Sequence, residues 1–144
     1  LAAAELPPDA RIETSDAPTF AEWIGAARGS SPAQCRAHAQ RLLHSPVPHR
    51  AVVVVDAEGR IVAGGQVARE DEIAGLYDVF TRADARNRGW ARIACRHLLA
   101  LAVADGARVA YLQVDAGNAS ARRVYHGLGF EDAYAYHYRT PPAA

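Results

Sequence analysis

The stretch Thr81-Arg-Ala-Asp-Ala-Arg86-Asn-Arg-Gly89-Trp-Ala91 decides how this chain is read, because it joins two patterned segments of different kinds. Ahead of it, Ile73 to Thr81 has Leu76, Tyr77, Val79 and Phe80 apolar on both faces, as in the middle of a sheet. After it, from about Trp90 to Ala104, the residues Ala91, Ala94, Cys95, Leu98, Leu101 and Ala102 recur at helical spacing until Asp105-Gly106 ends the run. A strand thus delivers the chain through a polar loop, Arg82 to Gly89, to the start of a long helix. Free amide N–H groups cluster at such a start and the helix dipole adds positive potential there. That end suits a phosphate. Gly89 lacks a Cβ and lets the backbone approach an anion, and Ala91 is small for the same reason. Arg86 and Arg88 add cationic, fork-shaped donors. As chemistry alone this is a diphosphate site of unspecified kind. The Gly-Lys-Ser/Thr ending of a P-loop is missing, and one glycine is too few for the dinucleotide fingerprint.

Outward from this loop the pattern stays α/β. Val109 to Asp115 predicts a further strand, and Asn118 caps a short helix that stops at Gly127 or Gly129. Glu131 to Arg139 predicts a closing strand with Tyr134, Tyr136 and Tyr138 on one face, a packed face or a lining for an acceptor or a dimer contact. Upstream, Val52-Val-Val-Val55 within Arg50 to Asp56 is a buried strand. The turn Asp56-Ala-Glu-Gly59 returns the chain as Ile61 to Ala68. Thr19-Phe-Ala-Glu22 and Ser31-Pro-Ala-Gln34 both fit a capping box and predict helices over residues 20–28 and 32–44. Arg11 to Thr14 is a candidate first strand, and the Ala- and Pro-rich residues 1–10 are expected to be loose.

The bulk numbers leave a narrow range of classes. A chain of 144 residues, half of them apolar, forms one domain with one core. No run of about 18 apolar residues is present to span a bilayer, and no charged-then-apolar leader precedes the fold. Sixteen basic residues, all Arg, balance sixteen acidic ones, so charge gives no reason to expect nucleic acid or a membrane surface. The lack of Lys beside abundant Ala reads as base-composition bias. The lack of Met reads as a processed chain or a domain cut from a longer one. Cys35 and Cys95 make neither a disulfide framework nor a metal motif, and no metal is expected. Cys95 falls on the apolar helix face and reads as core, so a reducing cytoplasm is the expected setting.

Two motifs together carry a resemblance. Arg86-x-x-Gly89-x-Ala91 after a strand resembles the acetyl-CoA signature of the GNAT superfamily of N-acetyltransferases. At the family's distance follows Asn118-Ala-Ser-Ala121-Arg-Arg-Val-Tyr125-His-Gly-Leu-Gly-Phe130, which resembles its Asn-x-x-Ala-x-x-x-Tyr segment and the Gly-Phe after it. The resemblance runs from about Arg50 to Tyr138. It implies a mixed, mostly antiparallel sheet of about six or seven strands with about four helices and one parallel pair splayed at the cofactor site.

The resemblance also implies roles. Val79, Phe80 and Thr81 would bond the cofactor's pantetheine arm through their backbone, as an added strand does. The amides of Asn87, Arg88, Gly89, Trp90 and Ala91, with the Arg86 and Arg88 side chains, would hold the pyrophosphate. Trp90 is larger than expected there and either plugs the helix start or meets the cofactor. Asn118 would cap its helix and touch the pantetheine. Tyr125 would protonate the departing thiolate. The general base is open. The place where related enzymes carry a Glu is near Gly75, and Glu72 and Asp78 are nearby carboxylates. An Asp within an apolar strand is costly unless satisfied, which favours Asp78. His97 and His126 show no partner.

The resulting expectation is transfer of an acetyl group from acetyl-CoA to a small-molecule or peptide amine, with a homodimer compatible. The alternative from another class is a non-catalytic acyl-CoA-binding module, such as half of a tandem protein. A succinyl donor would need a cation near the acyl end, and none is evident.

Overall fold

The computed structural model describes residues 6–135. The chain runs β1 (Arg11–Ser15), α1 (Ala17–Arg28), α2 (Pro32–Leu43), β2 (His49–Val55), β3 (Ile61–Glu70) and β4 (Ile73–Thr81). A short 3-10 turn, Ala83–Ala85, then leads to α3 (Trp90–Ala104), β5 (Val109–Tyr111) and α4 (Ala119–Gly127). The five strands lie in the order β1-β2-β3-β4-β5, antiparallel except for the parallel pair β4–β5.

Period-two alternation sends the β2 and β3 side chains to two cores. On one face Val52, Val67, Ala74 and Leu76 meet Cys95, Leu98, Leu99 and Ala102 of α3. On the other, Ala51, Val53 and Val55 meet Phe20 and Ile24 of α1. Phe20, Ile24 and Leu98 are fully buried, and each such side chain stabilises the fold by about 1.5–3 kcal/mol. The second helix, α2, has no buried residue and leaves room between itself and the sheet.

A bulge in β4 sets the site. Gln66 pairs with Tyr77 and Gly64 with Phe80, so Gly65 alone faces two residues, Asp78 and Val79. Asp78 takes a left-handed φ of 53°, a conformation Asp tolerates better than most residues. The extra residue turns Tyr77 and Asp78 to the same side of the sheet, toward α1 and α2. Val79 packs on the α3 side and Phe80 back on the α1 side.

Several expected boundaries move. The Thr19–Glu22 capping box does not form. Asp16 caps α1 instead, accepting from the Thr19 amide at 2.8 Å, and the helix starts at Ala17 rather than at residue 20. The Ser31–Gln34 box does form. The strand expected from Val109 to Asp115 ends at Tyr111. Among the described residues the sheet has five strands, fewer than six or seven. Residues 131–135 carry no strand and Tyr134 is exposed. Tyr136, Tyr138 and the rest of the expected closing strand lie outside the described residues.

Candidate functional site

The two parallel strands part early. β4 pairs with β5 only at Ile73↔Val109, Ala74↔Ala110 and Gly75↔Tyr111. Beyond Gly75, β4 runs on to Thr81 while the chain after Tyr111 turns away. The β5-side edge of residues 76–81, which includes Val79, Phe80 and Thr81, has no strand partner among the described residues. A row of unpaired backbone donors and acceptors bordering a gap is a template for an extended polar ligand.

The gap leads to the start of α3. Asn87 and Gly89 both have left-handed φ, 62° and 82°, and such alternations turn successive amides toward one point. Gly89 caps α3 without a side-chain hydrogen bond, and the first intrahelical bond is Ile93 N–H to the Gly89 carbonyl at 3.1 Å. The amides of Trp90, Ala91 and Arg92 precede that bond and stay free for an anion. A Cβ on Gly89 would meet no atom within 4 Å. No protein neighbour demands a glycine here, and within the protein its left-handed backbone angle does. Arg86 and Arg88 are exposed at the loop. Trp90 packs on the cluster of Val54, Val62, Ala63, Ala85 and Ala94, the plug arrangement, with its indole N–H buried and unpartnered.

Tyr125 projects from α4 onto the α3-side core and makes an edge contact with Phe130, ring centroids 6.1 Å apart. Burial, with the neighbouring Cys95 thiol second, pushes its phenol up to about 12. The hydroxyl stays protonated at neutral pH and has no hydrogen bond among the described residues. Asn118 caps α4 through its side-chain oxygen, which accepts from the Ala121 amide at 3.1 Å.

Asp78 lies on the opposite face. One carboxylate oxygen accepts from Arg28 Nη1 at 2.8 Å. The other accepts from Gln66 Nε2 at 2.6 Å and stands 3.1 Å from His38 Nε2. The carboxylate is thus satisfied by α1 and β3, with His38 of α2 in contact beside it. His38, Arg41 and Asp78 are shared walls of two adjoining clefts, one of 710 Å³ between α2 and the sheet and one of 440 Å³ between α1 and α2. Glu72 is elsewhere, on the β3–β4 turn, where its carbonyl accepts the Arg108 and Val109 amides. His97 and His126 are outside both clefts, and His126 pairs with Asp132 at 3.0 Å. No group of His, Cys, Asp and Glu among the described residues is arranged to hold a metal.

Gly75 explains the missing glutamate. A Cβ there would stand 2.6 Å from the Tyr77 ring and 2.8 Å from that of Tyr111. The two tyrosines meet edge to face and share a short hydroxyl–hydroxyl hydrogen bond over the glycine. Three participants escaped the sequence reading: His38, Gln66 and Arg28. Gln66 was the most findable, as a polar residue inside the apolar run Val62-Ala-Gly-Gly-Gln-Val67.

None of the described helices is long and apolar enough to cross a membrane. A comparison with curated proteins gave no match. Among solved structures the chain resembles an aminoglycoside acetyltransferase from an uncultured soil metagenomic sample in complex with sisomicin, at 20% identity and TM-score 0.73, covering 94% of this chain and 99% of that one. It also resembles AAC(6')-Iy in complex with the bisubstrate analog CoA-S-monomethyl-acetylneamine, at 18% identity and TM-score 0.73 over 91% of this chain and 97% of that one. A third is glucosamine-6-phosphate N-acetyltransferase from Arabidopsis thaliana, 13% identical with TM-score 0.70 over 92% and 98%. At these identities the likeness speaks for the fold. Residues 15–130, which hold the splayed strands, the loop before α3 and Tyr125, match the model of the acetyltransferase (GNAT) family, and the chain belongs to that family.

Proposed function

We propose that the chain is an N-acetyltransferase that takes the acetyl group of acetyl-CoA and passes it to a primary amine by direct attack. The observation that carries this reading is the continuity of the open β4 edge with the α3 anion loop. A backbone edge beside a ring of free amides and two arginines matches a ligand with a peptide-like arm and a pyrophosphate. In this reading the backbone of Val79, Phe80 and Thr81 bonds the arm, and Asn118 adds a contact. The amides of Asn87 to Ala91, with Arg86 and Arg88, hold the pyrophosphate.

Acetyl-CoA supplies an activated acyl carbon and a thiolate leaving group. Tyr125, neutral and half-buried on the α3 side, donates the proton that the thiolate needs. Across the sheet, Asp78 belongs to the machinery that removes a proton from the incoming ammonium. The larger cleft beside it also carries Glu70 and Asp71, which suits a cationic acceptor, and the aminoglycoside complex makes sisomicin the first amine to try.

Isothermal titration with acetyl-CoA, with free adenine nucleotide as control, tests the donor site. Thiol release with sisomicin and glucosamine 6-phosphate then tests turnover. Tight binding that needs the pantetheine arm, followed by amine-dependent thiol release, is the expected result. Binding without turnover on any amine would leave a binding module, and no binding would end the reading.

A further inference from the structure

We infer that His38, on α2, is the group that takes the proton from the acceptor amine, and that Asp78 acts through it as a positioning residue. This rests on the acetyltransfer reading and names the base which that reading leaves open. Both carboxylate oxygens of Asp78 are already engaged. Arg28 and Gln66 donate to its oxygens, and His38 Nε2 stands against one of them. His38 is held at the same point from the other side, its side chain only 18% exposed at the junction of the two clefts.

The pairing also sets which imidazole nitrogen is free. Asp78 Oδ2 is an acceptor already engaged by the Gln66 amide, and a nitrogen lone pair 3.1 Å from it would be repelled. Neutral His38 therefore carries its proton on Nε2 and keeps the lone pair on Nδ1. No hydrogen bond to Nδ1 is present among the described residues, so that lone pair is available to a ligand. The bulge serves this arrangement. It turns Asp78 to the α2 side of the sheet, while Tyr125 packs on the α3 side.

The proton count closes. The ammonium gives one proton to His38 Nδ1, and the freed nitrogen lone pair forms the bond to the acyl carbon. The carbon–sulfur bond breaks, and its electron pair leaves on sulfur, which takes the Tyr125 proton. The second proton lost by the nitrogen restores Tyr125, and His38 sheds its own to solvent. One ammonium and one thioester become one amide, one thiol and one free proton.

Two readouts test this. Long-range ¹H–¹⁵N correlation of the ¹⁵N-labelled chain at pH 8.5, with His38→Gln to assign the resonance, is expected to show His38 as the neutral Nε2–H tautomer. Asp78→Asn should turn that signal into a mixture of tautomers. With sisomicin as probe amine and saturating acetyl-CoA, His38→Gln keeps a hydrogen-bond donor toward Asp78 but has no basic nitrogen. It should lower kcat at least 100-fold while the acetyl-CoA Kd stays within twofold. An Nδ1–H tautomer, a persistent imidazolium, or parent-like kcat in His38→Gln with intact acetyl-CoA binding would overturn the inference and leave the cofactor site standing. A parent that does not bind acetyl-CoA would overturn the reading beneath it, and the base role with it.

Discussion

At the scale of single residues, the side chains of the candidate site differ in how far their environment constrains them. Tyr125 is held by apolar contacts alone, so its hydroxyl can be removed with little structural effect. Tyr125→Phe should therefore leave the urea midpoint nearly unchanged and acetyl-CoA affinity intact, while lowering kcat about 10²–10⁴-fold, the usual worth of a positioned acid. Thiol release and calorimetric titration on one preparation check both halves. Parent-like turnover would remove Tyr125 from the mechanism. Gly89 presents the opposite case. Its φ of 82° is one that other residues adopt at a cost of about 1–2 kcal/mol. Because an added Cβ would meet nothing within 4 Å, Gly89→Ala isolates that conformational cost. A loss of stability in this range, together with weaker acetyl-CoA binding, is expected from denaturation and titration. Weakened binding at full stability would mean that the angle costs nothing and that the added methyl stands in the anion's way.

Among elements, close backbone approach decides what the central strands tolerate. Gly64 of β3 lies where an added Cβ would come 2.7 Å from the Val52 carbonyl oxygen and 3.2 Å from the Trp23 ring. The carbonyl belongs to a paired strand and cannot swing aside, so Gly64→Ala should cost about 1–3 kcal/mol, as overpacking does. Gly117→Ala, in an open turn where the nearest atom is 3.4 Å away, is the control expected to be near neutral. Chemical denaturation of the two variants makes the comparison. The same distinction explains what could be read from the sequence. The β2 to α3 succession was legible because its apolar periods are long and its breakers sharp. The loop at Arg86 to Ala91 was legible because a glycine and two arginines sit where a strand meets a helix. Asp16 lost out to Thr19 in the reading because the Thr19–Glu22 spacing mimics a capping box. The shortness of β5 was hidden because Leu112 and Val114 continue its alternation after pairing has ended. His38 was the largest omission. Its role depends on a bulge in a strand forty residues away, and no local pattern announces where a bulge will turn a side chain.

For the whole molecule, the sheet separates the two ends of the proposed proton path, with Tyr125 on the α3 face and the His38–Asp78 pair on the α2 face. The α3 face also stores two protons that the unfolded chain would release. Burial pushes the Cys95 thiol from 9.0 up to about 12, and the Tyr125 phenol from 10.0 to about 12. Between pH 9 and 12 the folded chain therefore holds protons that the unfolded chain has lost. The unfolded state then binds fewer, and stability falls as pH rises. The contribution of each group is fully present below its unfolded value and disappears as pH passes its folded one. Once the unfolded thiol is ionised, Cys95 alone should tilt the stability curve by about 1.4 kcal/mol per pH unit. Cys95→Ala removes that proton. It lowers stability near neutral pH, since a fully buried sulfur is lost, and the deficit should shrink above pH 9 because its curve is flatter than the parent's. Urea unfolding of both chains at pH 7.5, 9.5 and 10.5 reads the two effects separately, as an offset and a difference in slope. Parallel curves would mean that the buried thiol ionises in the folded protein, and that α3 opens to solvent behind Tyr125 well below pH 12.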